Sequence, residues 1–192
     1  MGYISFYREG HRFRDEFLEF YRGMRRLVKL AYGDDFTFMF DWDQSGSPAG
    51  HLSIMIIVYV CTLFEELMRD AYIFINPGRN ITDNELRKNT QSWYGIKNWL
   101  VSNNLLNSGL LDYEQLISEL HARRNCLVHK NSVVDEQYIK QATEFGGIAA
   151  FKLGDRIWTN WKYHEKLVKE LVSFQMFLGI ALENHINNIH SD

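Results

Sequence analysis

Apolar residues recur every three or four positions along most of this chain, and only two prolines, Pro48 and Pro77, interrupt it. A period near 3.6 suits a helix with one buried face, whereas a half-buried strand would alternate at every second residue. The pattern predicts an all-α protein, an antiparallel four-helix-bundle core with a small β-hairpin before the C-terminal helix. At 192 residues the chain reads as one domain, 1–192, long enough to bury a sizeable interior. Its 46% apolar and 15% aromatic content would fill that interior and argues against disorder.

A first helix is expected over 5–32, with Phe13, Phe17, Phe20, Met24, Leu27, Val28 and Ala31 on one face. Arg8, Arg12, Arg22, Arg25, Arg26 and Lys29 fall opposite or on its flank. Two readings of that basic face stand: a solvated surface partly neutralised by Asp15 and Glu19, or a contact surface for an RNA backbone. Residues 34–40 carry aromatics at alternate positions and fit either an extended segment or a helical extension. Asp41 to Gly50, with Gly46, Pro48 and Gly50, reads as a loop.

The second helix is expected from about Leu52 to Ile75, stopped by Asn76-Pro77-Gly78. Ile54, Ile57, Val58, Cys61, Phe64, Met68, Tyr72 and Ile75 make its buried stripe, with Glu65 inside it. A short helix at Thr82–Lys88 is expected from the capping-box pattern Thr82-Asp83-Asn84-Glu85. A third helix runs from Trp93 to Leu106, closed by Asn107-Ser108-Gly109, and Asp112 is placed as the cap of the next. Asp135 to Thr143 gives one or two helical turns, broken at Glu144-Phe145-Gly146-Gly147. Ile148 to Trp158 is the expected hairpin, turning at Gly154-Asp155. Asn160 then caps a last helix reaching about Ile189. Leu167, Val168, Leu171, Phe174, Leu178, Leu182 and Ile186 form its stripe, while Val172, Met176 and Ile180 add a second apolar side.

Between Asp112 and Asn131 the helical stripe is Tyr113, Leu116, Ile117, Leu120, Leu127 and Val128, and Arg124 falls in its middle. A guanidinium keeps its charge at neutral pH, so a buried one needs a carboxylate, a phosphate or a water-lined cleft. Glu65 has the matching need, and pairing it with Arg124 across the bundle is the simplest solution. Asn125 and His129 share another face of the same helix. Arg124 and His129, five apart, are separated by roughly 140° around the axis and are not expected to converge.

The run Arg124-Asn125-Cys126-Leu127-Val128-His129 resembles the R-x(4–6)-H signature of the HEPN superfamily, in the form with a polar residue after the arginine. The polar turn and new helix over Lys130 to Tyr138 resemble the segment behind that motif in many members. Tyr59 to Asp70, with its Phe64-Glu65 step, is similar to the second helix of such domains. The resemblance implies a metal-independent endoribonuclease, often a toxin or antiviral effector, although other members have lost the activity. It also implies a homodimer with a composite site, and a toxin of this kind would have a cognate antitoxin or inhibitor.

In that reading His129 moves a proton, Arg124 carries phosphate charge and Asn125 orients either. Glu65 and Arg123 are supporting residues, and Arg22, Arg25, Arg26 and Lys29 contact the RNA backbone. The products would be a 2′,3′-cyclic phosphate and a 5′-hydroxyl, with no cofactor. Two alternatives stand beside it: a catalytically silent HEPN module that binds RNA or a partner protein, and a structural protein in which Arg124 pairs with Glu65 while His129 favours the helix C-terminal dipole.

Other chemistries find less footing. Among the seven histidines, His121 and His129 are eight apart and His185 and His190 five, and no pair has the helical i,i+4 spacing of a metal site. His164-Glu165 stands alone, so no metal is expected. No glycine-rich phosphate loop comes after a strand. Cys126 lies beside Arg124 and His129 but reads as a small buried side chain, and Cys61 likewise, both reduced as in a cytoplasm. A net charge of −3 argues against coating nucleic acid by bulk charge. No signal-peptide core opens the chain, and the most apolar run, Ile54 to Phe64, is too short to span a bilayer, so neither secretion nor membrane contact is expected.

Overall fold

Pro48 opens the first long helix, where its missing N–H costs nothing because that donor has no intrahelical acceptor. The computed structural model describes residues 15, 18–20, 22–23, 26, 48–106, 108–142, 151–157, 159 and 161–189. Helix α1 spans Pro48–Phe74, so residues 48–50, expected in a loop, are helical, and residues 41–47 lie outside the described residues. Ile57, Cys61, Phe64 and Met68, spaced at one turn, are fully buried along it. It stops where Asn76-Pro77-Gly78 requires, with Gly78 in the left-handed region at φ 78°.

Helix α2 covers Asp83–Thr90, and Thr82 caps it by accepting from the Glu85 N–H at 3.2 Å, as the capping pattern predicts. Helix α3, Trp93–Ser102, is capped by Ser92 on the Gly95 N–H and ends short of Leu106. One helical turn, α4 at Ser108–Leu111, precedes the motif helix α5, Glu114–His129. Asp112 is not its cap. Tyr113 holds that position at φ −94° and ψ 2° with no side-chain cap, because the Tyr113 N–H is already turned back to the Leu110 carbonyl at 3.3 Å. A capping side chain needs the extended backbone that this turn denies it.

Asp135 caps α6, Glu136–Gln141, and α7 spans Trp161–Ile189. The turn foreseen at Gly154-Asp155 is present, with Gly154 at φ 86° and the Lys152 N–H on Asp155 Oδ2 at 2.8 Å. Its outgoing limb bridges the segment behind the motif: Val133 faces Arg156 in an antiparallel bridge. Val134 N–H reaches Asp155 O at 2.9 Å and Ile157 N–H reaches Ser132 O at 2.7 Å. This is the one β-bridge among the described residues, and it ties residues 151–157 to the end of α5.

Helix α1 packs on α5, α2 and α7, α3 packs on α2 and α5, and α6 lies against α5. Leu100, Ile117, Leu120, Leu167, Leu171, Phe174 and Leu178 fill the space between them. The described residues between 15 and 26 are helical, and Phe20 sets its ring 4.1 Å from that of Tyr59 on α1. The remainder of the expected first helix, residues 34–40, the Glu144–Gly147 break and Asn160 lie outside the described residues. No described helix is long and apolar enough to cross a membrane.

Candidate functional site

Helix α5 is covered on several sides at once, burying Leu116, Ile117, Glu119, Leu120, His121, Ala122, Arg123, Cys126 and Leu127. Such a helix has no single apolar stripe, and the expectation of a buried Arg124 fails for that reason. The buried cation is Arg123, 1% exposed. Its Nε and Nη2 both reach Glu119 Oε1, at 2.6 and 2.5 Å, and Nη2 lies 3.3 Å from the Tyr138 hydroxyl. Tyr163 donates its hydroxyl to Glu119 Oε2, and the guanidinium stacks 4.4 Å over the Tyr163 ring. Burial opposes the Arg123 charge, and the Glu119 carboxylate more than restores it. The core ion pair is therefore formed one turn apart on α5.

Arg124, only half-buried, turns along the helix end instead. Its Nη1 donates to Asn125 Oδ1 at 3.0 Å and stands 3.4 Å from His129 Nε2. A guanidinium has no lone pair to offer, so in this arrangement His129 Nε2 is the acceptor. The divergence expected from the five-residue spacing is overcome by the length of the arginine side chain and by His129 being the last residue of α5. Arg124, Asn125 and His129 thus form one connected group with the imidazole exposed. Asn125 and His129 also border a cavity of about 220 Å³ walled by Cys126, Lys130, Asp135 and Tyr138, with Lys130 Nζ 3.6 Å from Asp135 Oδ2.

No protein-family model, curated protein or solved structure matches this chain.

Glu65 does not pair directly with Arg124. Its Oε1 stands 3.7 Å from Cys61 Sγ and 3.8 Å from His121 Nδ1, and Cys61 Sγ is 3.8 Å from the same Nδ1. The guanidinium of Arg124 acts on this group through its charge alone. Burial raises the Glu65 carboxyl and Arg124 pulls it back. Burial, helped by Glu65, pushes the Cys61 thiol up, while burial and then Arg124 push His121 down to about 4. A protonated thiol and a neutral imidazole therefore face a carboxyl group. This cluster escaped the sequence reading because its histidine comes from α5 and the other two from α1. Cys61 and Glu65 at i,i+4 were a visible half of the signal.

Of the basic residues assigned to RNA contact, Arg22 and Arg26 are exposed on helical residues, while Arg25 and Lys29 lie outside the described residues. His164 is fully buried, its Nε2 3.0 Å from Thr159 Oγ1. Cys61 and Cys126 are both free and buried, and burial raises the Cys126 thiol, which disfavours the thiolate a nucleophile would need.

Proposed function

We propose that this chain is a HEPN-type, metal-independent endoribonuclease, with Arg124, Asn125 and His129 as its reacting group. The observation that carries the reading is the contact of Arg124 with both Asn125 and His129 at an exposed helix end. RNA cleavage without a metal needs a base for the 2′-hydroxyl, an acid for the departing 5′-oxygen and positive charge on the phosphorane between them. The unprotonated Nε2 of His129 takes the 2′-proton as the O2′–P bond forms. Arg124 shifts from His129 to the phosphate oxygens, where a planar guanidinium binds two at once. Asn125 holds the arginine or a phosphate oxygen. The P–O5′ bond then breaks and O5′ takes a proton from an imidazolium, leaving a 2′,3′-cyclic phosphate.

In this reading the protein acts as a growth-arresting or antiviral effector in the cytoplasm, held in check by an antitoxin or inhibitor. Two free cysteines are in keeping with a reducing compartment. Arg22, Arg25, Arg26 and Lys29 would track the RNA backbone. A homodimer would supply a second motif histidine, so that acid and base come from two chains. The close approach of Arg124 and His129 removes the spacing reason for such a dimer, and the need for two proton-transfer groups remains. A second reading, a HEPN module that binds RNA or a protein without cleaving, is favoured by one feature: Arg124 is already engaged by Asn125 and His129.

The pure protein incubated with total RNA in EDTA is expected to leave cyclic-phosphate ends. His129→Ala should lower the rate by about 10²–10⁴ with an unchanged unfolding midpoint, since that side chain is exposed. Equal cleavage by the variant would move the active site elsewhere, and binding without cleavage would select the silent module.

A further inference from the structure

Cys61 Sγ, Glu65 Oε1 and His121 Nδ1 mark a nearly equilateral triangle, with sides of 3.7, 3.8 and 3.8 Å. As hydrogen bonds these contacts are poor: 3.8 Å between nitrogen and oxygen exceeds any bond, and the thiol contact is at the outer limit. Nor is the imidazole satisfied elsewhere, for His121 Nε2 is buried with no partner among the described residues. Three ligand-type atoms thus converge with only long, weak thiol contacts between them. A tetrahedral zinc ion, at about 2.3 Å from sulfur and about 2.0–2.2 Å from nitrogen and oxygen, holds such atoms about 3.4–3.6 Å apart. The triangle is one face of that tetrahedron after a contraction of a few tenths of an ångström.

We propose that Cys61, Glu65 and His121 bind one borderline-soft divalent cation, zinc by preference. Thiolate with imidazole selects zinc or cobalt over magnesium or calcium, which prefer all-oxygen shells. On binding, the Cys61 thiol releases its proton to solvent and sulfur joins the metal. Thiolate and carboxylate together then offset the charge of the ion, so Arg124 faces a neutral centre and not a bare dication. The frame is rigid: Cys61 and Glu65 stand one turn apart on α1, His121 projects from α5, and the Phe64 ring meets the imidazole edge-on at 6.0 Å. Glu65 also lines an open cavity of about 240 Å³ with Glu66, Asp83, Arg69 and Arg87. Glu65 is the ligand that faces this cavity, so the carboxylate marks the side from which an ion would enter. The ion pins α1 to α5 behind Arg124 and takes no part in phosphate chemistry, so the inference does not depend on RNA cleavage.

The test is titration of the tag-free full chain with Co²⁺ after removal of metals by a chelator. The expected result is one ion per chain, with a thiolate-to-cobalt charge-transfer band and the d–d bands of a tetrahedral centre, both lost on adding Zn²⁺. Cys61→Ala and Glu65→Gln, checked for folding by circular dichroism, should each lose the one-per-chain binding, and zinc should raise the thermal midpoint of the parent protein alone. A parent spectrum without the thiolate band, or a band that persists in Cys61→Ala, would overturn the site. The parent titration decides the matter even where a variant fails to fold.

Discussion

Glu119 and Arg123 show what a fully buried charge demands of its surroundings. The carboxylate receives the guanidinium and the hydroxyls of Tyr138 and Tyr163, so few of its lone pairs are left unmet. Removing one partner of such a pair typically costs about 3–5 kcal/mol, and Glu119→Ala should lose that much in urea unfolding. Replacing both by apolar residues, Glu119→Leu with Arg123→Met, should recover most of the loss, because no charge then stays stranded. His164 provides the pH dependence at this scale. Burial, then the nearby Arg123 charge, lowers it from 6.5 to about 3. A folded pKa below the unfolded one means that the unfolded chain binds the proton first as pH falls. Stability is therefore full above about 6.5 and declines toward about 3, by roughly 1.4 kcal/mol per pH unit for this one group. Unfolding midpoints between pH 7 and 5 should slope less in His164→Gln than in the parent, and equal slopes would count against this assignment.

Helices α2 and α3 meet at a corner that depends on one missing side chain. A Cβ built on Gly95 would stand 2.1 Å from the Lys88 carbonyl oxygen, and that neighbour is backbone, which cannot rotate aside. Gly95→Ala should force the two helices apart and cost about 1–3 kcal/mol, as overpacking usually does, visible as a lower thermal midpoint. At the other end of α5 the chain turns through Asn131 and Ser132, at φ 51° and 64°. Lys130 N–H and Ser132 N–H both return to the Cys126 carbonyl, at 3.1 and 3.0 Å. This closure ends the helix at His129 and leaves the imidazole at an exposed tip, where Arg124 can reach it.

Among the described residues of the whole molecule, α7 carries a cluster of exposed apolar side chains. Its buried stripe includes Leu167, Leu171, Phe174 and Leu178, yet Met176, Phe177 and Ile180 on its other side are 63%, 41% and 52% exposed. Of the second apolar side expected from the sequence, Met176 and Ile180 are exposed while Val172 packs against the core, and a partner copy covering the exposed pair would suit the homodimer under the proposed function. Light scattering at micromolar concentration should give a dimer for the parent and a monomer for Met176→Glu with Ile180→Glu. Both positions are exposed, so the fold should survive the change. A parent that is monomeric and fully active on RNA would exclude a site shared between chains.

Local features were legible in the sequence, and features of assembly were not. Thr82 caps its helix as its side chain predicts, Gly154 turns where a left-handed residue is needed, and the spacing of Ile57, Cys61, Phe64 and Met68 names the buried face of α1. Each of these depends on backbone geometry within a few residues, which the amino-acid order carries directly. The burial of Arg123 in place of Arg124, the Cys61, Glu65 and His121 cluster, the bridge from Val133 to Arg156 and the approach of Arg124 to His129 were decided by tertiary structure. A helix covered on several sides has no single apolar direction to project. A carboxyl group takes whichever partner the neighbouring helix presents, and a long side chain can cancel an angular separation along the axis. Those outcomes depend on distances between elements remote in sequence, and the periodicity of any one element does not contain them.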